Sequence, residues 1–275
     1  MKVVILAGGE GKRFTGELST RPKPMVEIGG KPLLWHILNI YAAHGCNDFL
    51  VACGYKGEMI KEYFHDVFMH NNDYILDLKK GSRKVVKSNR INWRVGVIDT
   101  GLDTQTGGRI LRLKKWIGDD TFMVTYGDRV ANVNIRSLIA FHRAHGRLAT
   151  VTAVHPPSRY GALVITGDEV IREFSEKPQP GEGWVSGGFF VFEPALFERL
   201  SGDQTILERE PLAGLVADKQ LMAFRHDSFW QRVDTFDDKE RLEALWAGGS
   251  PPWYANGKVS NMGATVSDKL GSAST

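Results

Sequence analysis

Two short segments near the amino terminus combine residue types suited to holding a polyphosphate. The first is Leu6-Ala7-Gly8-Gly9-Glu10-Gly11-Lys12-Arg13. Glycines here let the backbone approach phosphate oxygens, and successive N–H groups can cradle them. Lys12 and Arg13 add cations at the same place. The run is not a dinucleotide fingerprint: reading from Gly8, its final glycine is missing, since position 13 is arginine. Nor is it a P-loop, which needs four residues between its glycines and then Gly-Lys-Ser/Thr. A tight strand-to-helix turn would use the same glycines for geometry alone, so the loop by itself leaves both readings open. The second segment, Arg21-Pro22-Lys23-Pro24-Met25, holds a lysine between prolines in a stiff, extended stretch. A cation so placed suits phosphoryl-type transfer, which depends mainly on positioning and charge; an exposed linker lysine has the same flanks.

The elements that must position these segments follow from hydrophobic periodicity. Short apolar runs predict strands over 2–6, 48–53, 94–99, 121–125, 148–154, 162–165, 170–174 and 188–192. Helical spacing predicts helices over 31–44, with Pro32 in its first turn and Gly45 as its stop, and over 57–69, 135–145, 194–200, 206–216 and 236–246. A βαβα opening implies a Rossmann-like α/β fold: a mixed, mainly parallel sheet with helices on both faces and a smaller β-rich part. From Gly248 the chain turns small and polar, with too few apolar residues for a core of its own, so the tail is expected to be mobile or to lie over a neighbour.

The 275 residues, 42% hydrophobic and 24% charged, exclude disorder, collagen and coiled coil. No apolar run approaches the roughly 20 residues of a membrane span, and the amino terminus lacks signal-peptide features. Cys46 and Cys53 match neither a disulfide framework nor a zinc spacing, which points to a cytoplasmic protein. The net charge of +3 hides seven basic residues without an acid in 79–94, which reads as a solvated hairpin or loop rather than a nucleic-acid surface. His142 and His145, three apart on a predicted helix without a third ligand, read as surface. Trp184 and Trp230 read as core or sugar-stacking aromatics.

The order of the glycine loop and the Pro-Lys-Pro-Met segment resembles the signature of the sugar-1-phosphate nucleotidylyltransferases. Pro24 to Pro32, Cys53-Gly54-Tyr55-Lys56-Gly57, Asp99-Thr100-Gly101, Thr106-Gly107-Gly108-Arg109 and Thr125-Tyr126-Gly127-Asp128 narrow the resemblance to the glucose-1-phosphate cytidylyltransferase branch. Glu176-Lys177-Pro178, Gly187 to Val191 and Phe229 to Thr235 do the same. It runs from Met1 to about Trp253, so 1–253 is expected to be the nucleotidylyltransferase domain and 254–275 a flexible tail.

The resemblance implies roles. Leu6, Ala7, Gly8, Gly9, Gly11, Lys12 and Arg13 would wrap the nucleotide, with Thr106, Gly107, Arg109 and Asp128 beside it. Arg13 and Lys23 would act at the reacting phosphates. Tyr126, Glu176, Lys177 and Gly188 would meet the sugar phosphate, and Asp128 and Asp234 would hold Mg²⁺. The expected substrates are CTP and a hexose 1-phosphate, giving a CDP-sugar and pyrophosphate for nucleotide-sugar and surface-polysaccharide biosynthesis; a homo-oligomer without nucleic-acid or membrane partners is expected. The chemistry agrees, since joining two polyanions demands cations but no general base. On the residues alone, Asp128 also suits a turn and Asp234 a helix N-cap. Arg129 stands where that branch carries glycine, Asn132 and Asn134 where it carries aspartates, and Lys12 where it carries threonine. These departures leave open another nucleotide, another phosphorylated acceptor or a non-catalytic homologue.

Overall fold

In a computed structural model of the chain, the residues described are 1–10, 20–88, 91–155, 162–165, 171–175 and 184–254. Seven strands form the central sheet: β1 (Lys2–Ala7), β2 (Asp48–Cys53), β3 (Arg94–Asp99), β4 (Phe122–Tyr126), β5 (Ala149–Val154), β6 (Val185–Phe192) and β7 (Leu221–His226). Their spatial order is β7-β5-β6-β4-β1-β2-β3. Every neighbouring pair is parallel except the two made by β6, which runs against both β5 and β4. The expected mixed, mainly parallel sheet is thus observed.

Strand alternation separates two cores. Val3, Ile5, Phe49, Val51, Met123 and Val191 point to one face, and Val4, Leu6, Leu50, Val124 and Phe190 to the other. Helices α1 (Leu33–Ala42), α2 (Gly57–His70), α5 (Ile135–His145) and α7 (Phe236–Ala247) cover the first face through residues such as Leu34, Ile37, Ile60, Leu138 and Leu242. Helices α3 (Thr106–Arg112), α4 (Lys114–Ile117) and α6 (Glu210–Ala217) cover the second through Ile110, Ile117 and Leu215. No helix among the described residues is long and apolar enough to cross a membrane.

The differences from expectation have local causes. Helix α1 begins at Leu33 because Lys31–Pro32 pairs with Glu27–Ile28 across Gly29-Gly30, whose φ values of +58° and +70° make the tight turn. Helix α6 starts only at Glu210, with Pro211 in its first turn. Pro194–Arg199 is a 3-10 helix. The basic segment lies on a hairpin of Asn72–Asp77 with Ser82–Ser88, followed by β3. Outside the central sheet, Ala162–Ile165 pairs with Ile171–Ser175, and Arg129–Ala131 pairs separately with Trp230–Arg232.

The small, polar composition after Gly248 does not leave that whole segment unattached. Trp253 is buried, stacks on Phe229 and donates its indole N–H to His36 Nδ1 at 3.2 Å. His36 Nε2 in turn faces the Ile28 carbonyl at 2.9 Å. The indole can only donate and the carbonyl only accept, so this pair of bonds fits a neutral imidazole protonated at Nε2. Burial lowers the His36 pKa to about 4.

His142 does not lie on the surface as its spacing suggested. It is buried, with its ring nitrogens on Thr150 Oγ1 (2.8 Å) and Glu193 Oε1 (3.0 Å), while His145 also reaches Thr150. The side chain tethers α5 to the sheet. Cys46 and Cys53 are free and buried, and burial pushes the Cys53 thiol up to about 12.

Candidate active site

In the sheet order, β1 has β2 on one side and β4 on the other, so the connections that leave their carboxyl ends diverge. Such a switch point opens a crevice where ligands bind in α/β sheets. The crevice here is a cleft of about 340 Å³ lined by Leu6 to Gly9 from the end of β1, Lys23-Pro24, Thr104 to Thr106, Arg109, Tyr126 to Asp128, and Arg232.

Arg109 shapes one wall. Its guanidinium donates to five oxygens: Cys53 O (3.1 Å), Thr100 Oγ1 (2.8 Å), Gly101 O (2.7 Å), Gly8 O (2.9 Å) and Leu102 O (3.1 Å). The loops after β1, β2 and β3 are therefore tied to one buried side chain. A Cβ at Gly8 would collide with that guanidinium, so Gly8 is required by close packing as well as by any ligand. Burial lowers the Arg109 pKa from the usual arginine range. Arg109 lines the cleft as the resemblance implies, but its terminal amino groups are spent on the protein itself.

The charged floor is built by the short ladder. Arg129 pairs with Arg232 across it, and Val233 N–H donates to Asp128 O at 2.8 Å, which brings the turn after β4 beside residues a hundred positions later. Asp128 Oδ2 and Asp234 Oδ2 each lie 3.1 Å from Arg232 Nε. Asp128 Oδ1 accepts from Arg129 Nε at 2.8 Å, and Asp234 Oδ1 pairs with Lys23 Nζ. Burial opposes ionisation of Asp128, but Arg129, Arg232 and Lys23 outweigh it and hold the carboxyl below its usual range. Asp234 is not the N-cap of α7. Thr235 is, in a capping box with Asp238, so the Asp234 side chain is left to the cleft.

Tyr126 and Thr106 both donate to Glu208, Thr106 Oγ1 at 2.6 Å to Oε2 and Tyr126 through its phenol to Oε1. The Thr106 hydroxyl also accepts from Leu207 N–H at 2.9 Å. Burial and the Glu208 carboxylate push the Tyr126 phenol up. Gly107 gives its N–H to Thr205 O at 2.9 Å. Gly188, at φ +77°, packs against the Tyr126 ring and Arg129, where a Cβ would clash with both. Trp230 is partly buried and donates to Gly187 O at 2.8 Å, whereas Trp184 is exposed against His155. Gly11, Lys12, Arg13, Glu176 and Lys177 lie outside the described residues.

The structure thus brings together Leu6, Ala7, Gly8, Gly9, Lys23, Thr106, Arg109, Tyr126 and Asp128 around one cleft, with Asp234 bonded to Lys23 at its floor. Sequence reasoning assigned no role to Arg232 or Glu208. Arg232 stood inside a quoted motif next to Asp234, which was a usable signal; Glu208 sits in a loop with none.

No group of three or more His, Cys, Asp or Glu side chains gathers as a metal site among the described residues. Asp128 and Asp234 nevertheless offer two carboxylates that meet at one arginine nitrogen, and Mg²⁺ commonly takes one or two carboxylates with phosphate oxygens and water. The donor set fits that ion in company with a polyphosphate.

A family described as nucleotidyl transferase matches residues 2–239. The chain is 47% identical to glucose-1-phosphate cytidylyltransferase of Salmonella typhimurium over 92% of this chain and 98% of that protein. It is 42% identical to probable glucose-1-phosphate cytidylyltransferase of Bacillus subtilis, over 92% and 99%. Among solved structures, HddC from Yersinia pseudotuberculosis complexed with GMP-PN aligns with a TM-score of 0.64 at 23% identity, spanning 89% of this chain and 99% of that one. That last likeness concerns the fold.

Proposed function

The chain belongs to the nucleotidyl transferase family, and on that premise we propose that it transfers the cytidylyl group of CTP to glucose 1-phosphate, forming CDP-glucose and releasing pyrophosphate. The observation that carries this reading is the floor of the cleft, where Lys23, Arg232 and Arg129 compensate Asp128 and Asp234 beneath the Gly8-Gly9 backbone. The choice of cytidine and glucose follows the two relatives named above.

A phosphate oxygen of the sugar phosphate attacks the α-phosphorus of the triphosphate. A new O–Pα bond forms as the bond from Pα to the oxygen bridging toward the β-phosphorus breaks, and that oxygen leaves with pyrophosphate. The nucleophile is already ionised at neutral pH, so no residue has to remove a proton. The protein's work is to hold two polyanions in line and to meet the charge that builds on the leaving group. Lys23, fixed by Asp234, supplies a positioned cation, and the glycine backbone allows close approach of the phosphates. Asp128 and Asp234 would hold Mg²⁺, which when bound supplies further electrostatic stabilisation of phosphate oxygens. We further infer that residues 1–253 form the catalytic domain of a cytoplasmic homo-oligomer serving surface-polysaccharide synthesis; native mass spectrometry reporting a monomer would remove the oligomer.

The test is pyrophosphate release with Mg²⁺ and glucose 1-phosphate, comparing CTP, UTP, dTTP, ATP and GTP. Turnover with CTP alone is expected. Turnover with a different triphosphate would keep the mechanism and overturn the cytidylyl assignment.

A further inference from the structure

Arg129 begins the short strand that carries the floor of the cleft. Its side chain is 8% exposed and its Nε–H donates to Asp128 Oδ1 at 2.8 Å. The guanidinium carbon lies 4.1 Å from the centroid of the Tyr126 ring and 5.9 Å from that of Trp230. Gly188 packs against the same group, and a Cβ there would come within 2.6 Å of Arg129 Nη1. One carboxylate oxygen and two ring faces therefore fix the plane of this cation.

Its hydrogen-bonding capacity is mostly unspent. A guanidinium carries five N–H donors, and among the described residues the only hydrogen bond the Arg129 side chain makes is the one from Nε. Asp128, its one anionic partner, is shared with Arg232. Neither terminal nitrogen is both unpartnered and cut off from solvent, so both stay open to an oxyanion that approaches from the solvent side. Arg109, a buried arginine that lines the cleft, shows the contrast, because both its terminal amino groups end on protein oxygens behind the Gly8 loop. Arg129 instead packs against Tyr126 and Gly188.

We propose that Arg129 is a specificity-determining residue whose terminal amino groups bind an oxyanion of the acceptor sugar phosphate. The proposal rests on the reaction assigned above. A planar fork held by Asp128 and Tyr126 is oriented in advance for two parallel N–H···O bonds. Two groups offer that chemistry: the 1-phosphate itself, or a second acidic group elsewhere on the sugar.

The experiment compares the full-length chain with Arg129→Gln and Arg129→Lys, varying CTP and acceptor separately in the pyrophosphate assay. Glucose 1-phosphate and glucose 1,6-bisphosphate serve as acceptors. Arg129→Gln should raise the acceptor KM about tenfold or more while the CTP KM stays within about twofold, and Arg129→Lys should fall between, since it keeps charge without the fork. If the 1-phosphate is bound, both acceptors lose equally. If a second acidic group is bound, the unsubstituted chain prefers the bisphosphate and only that preference disappears. Equal rises in both KM values would overturn the proposal. So would a change confined to the Mg²⁺ concentration giving half-maximal rate, which would assign Arg129 to Asp128 and the metal instead. Should neither acceptor react with CTP, the assigned reaction fails. Calorimetric titration of each acceptor into the unsubstituted chain and Arg129→Gln then decides the role of Arg129 alone: tighter binding by the unsubstituted chain upholds it and equal binding refutes it. Should Arg129→Gln not fold, Arg129→Lys carries the same comparisons.

Discussion

At the scale of single residues, the cleft works through charges that are useful only as a set. Lys23 and Asp234 are paired, and Arg232 bridges Asp234 to Asp128. Removing one member unbalances the charges that remain in a nearly buried place, so the damage exceeds the loss of one group. Replacing Asp234 by Asn, or Lys23 by Met, should lower kcat by about 10²–10³-fold, the scale of losing one fixed charge-stabilising group. Because the two act together, the Lys23→Met/Asp234→Asn double variant should be little slower than either single variant. Steady-state pyrophosphate release decides this. Losses that multiply across the double variant would mean two independent contributions and contradict the unit described here.

At the scale of elements, one side chain governs the loops around the glycine segment. Arg109 sits at the centre of three strand-to-helix connections, and its five hydrogen bonds are the reason Gly8 cannot carry a Cβ. Arg109→Lys keeps the charge but cannot reach five acceptors from one point. It should cost about 2–4 kcal/mol, from several buried carbonyls left without donors, and should raise the CTP KM. Arg112→Lys, at the exposed pair with Asp203, should leave the melting temperature nearly unchanged. Calorimetric unfolding of the two variants side by side checks the contrast; equal effects would refute the role given to Arg109. Hardly any of this was legible in the sequence. Strands 94–99 and 162–165 and helix 135–145 match their predicted bounds because short apolar runs and amphipathic spacing are local signals. Helix α3 escaped because Gly107 and Gly108 weaken its propensity, although both are held against the 203–205 backbone. The ladder joining Arg129 to Arg232 escaped because three-residue strands a hundred positions apart leave no periodic trace. Lys23, Asp128 and Asp234 could be named from motifs, whereas the bonds that make them one cluster belong to tertiary structure.

At the scale of the whole molecule, the site depends on how the chain closes on itself. Arg232 and Asp234 precede α7, and the segment beyond α7 returns to α1, where Trp253, Trp246 and Tyr254 surround His36. His36 takes the indole proton of Trp253 at one nitrogen and faces the Ile28 carbonyl with the other, so charging the ring would set two donors against each other. Its pKa is lowered from 6.5 to about 4, chiefly by burial, which fixes the sign of the pH effect. The unfolded chain takes up the proton as pH falls through about 6.5, while the folded chain resists until about 4. Stability from this group is therefore complete above about pH 6.5 and is progressively lost down to about pH 4. At pH 5 the loss should be roughly 2 kcal/mol, or about 5 °C in melting temperature for a chain of this size. His36→Gln cannot titrate, so although less stable at pH 7.5 it should lose less on acidification than the unsubstituted chain. Trp253→Phe leaves His36 Nδ1 without its donor and so makes protonation of the folded chain easier; its loss on acidification should be smaller than that of the unsubstituted chain and larger than that of His36→Gln. Melting temperatures measured from pH 7.5 to 5 on the three proteins test the argument. Parallel curves for His36→Gln and the unsubstituted chain would show that acid acts elsewhere, and that the contact between Trp253 and His36 does not couple proton uptake to closure of the chain.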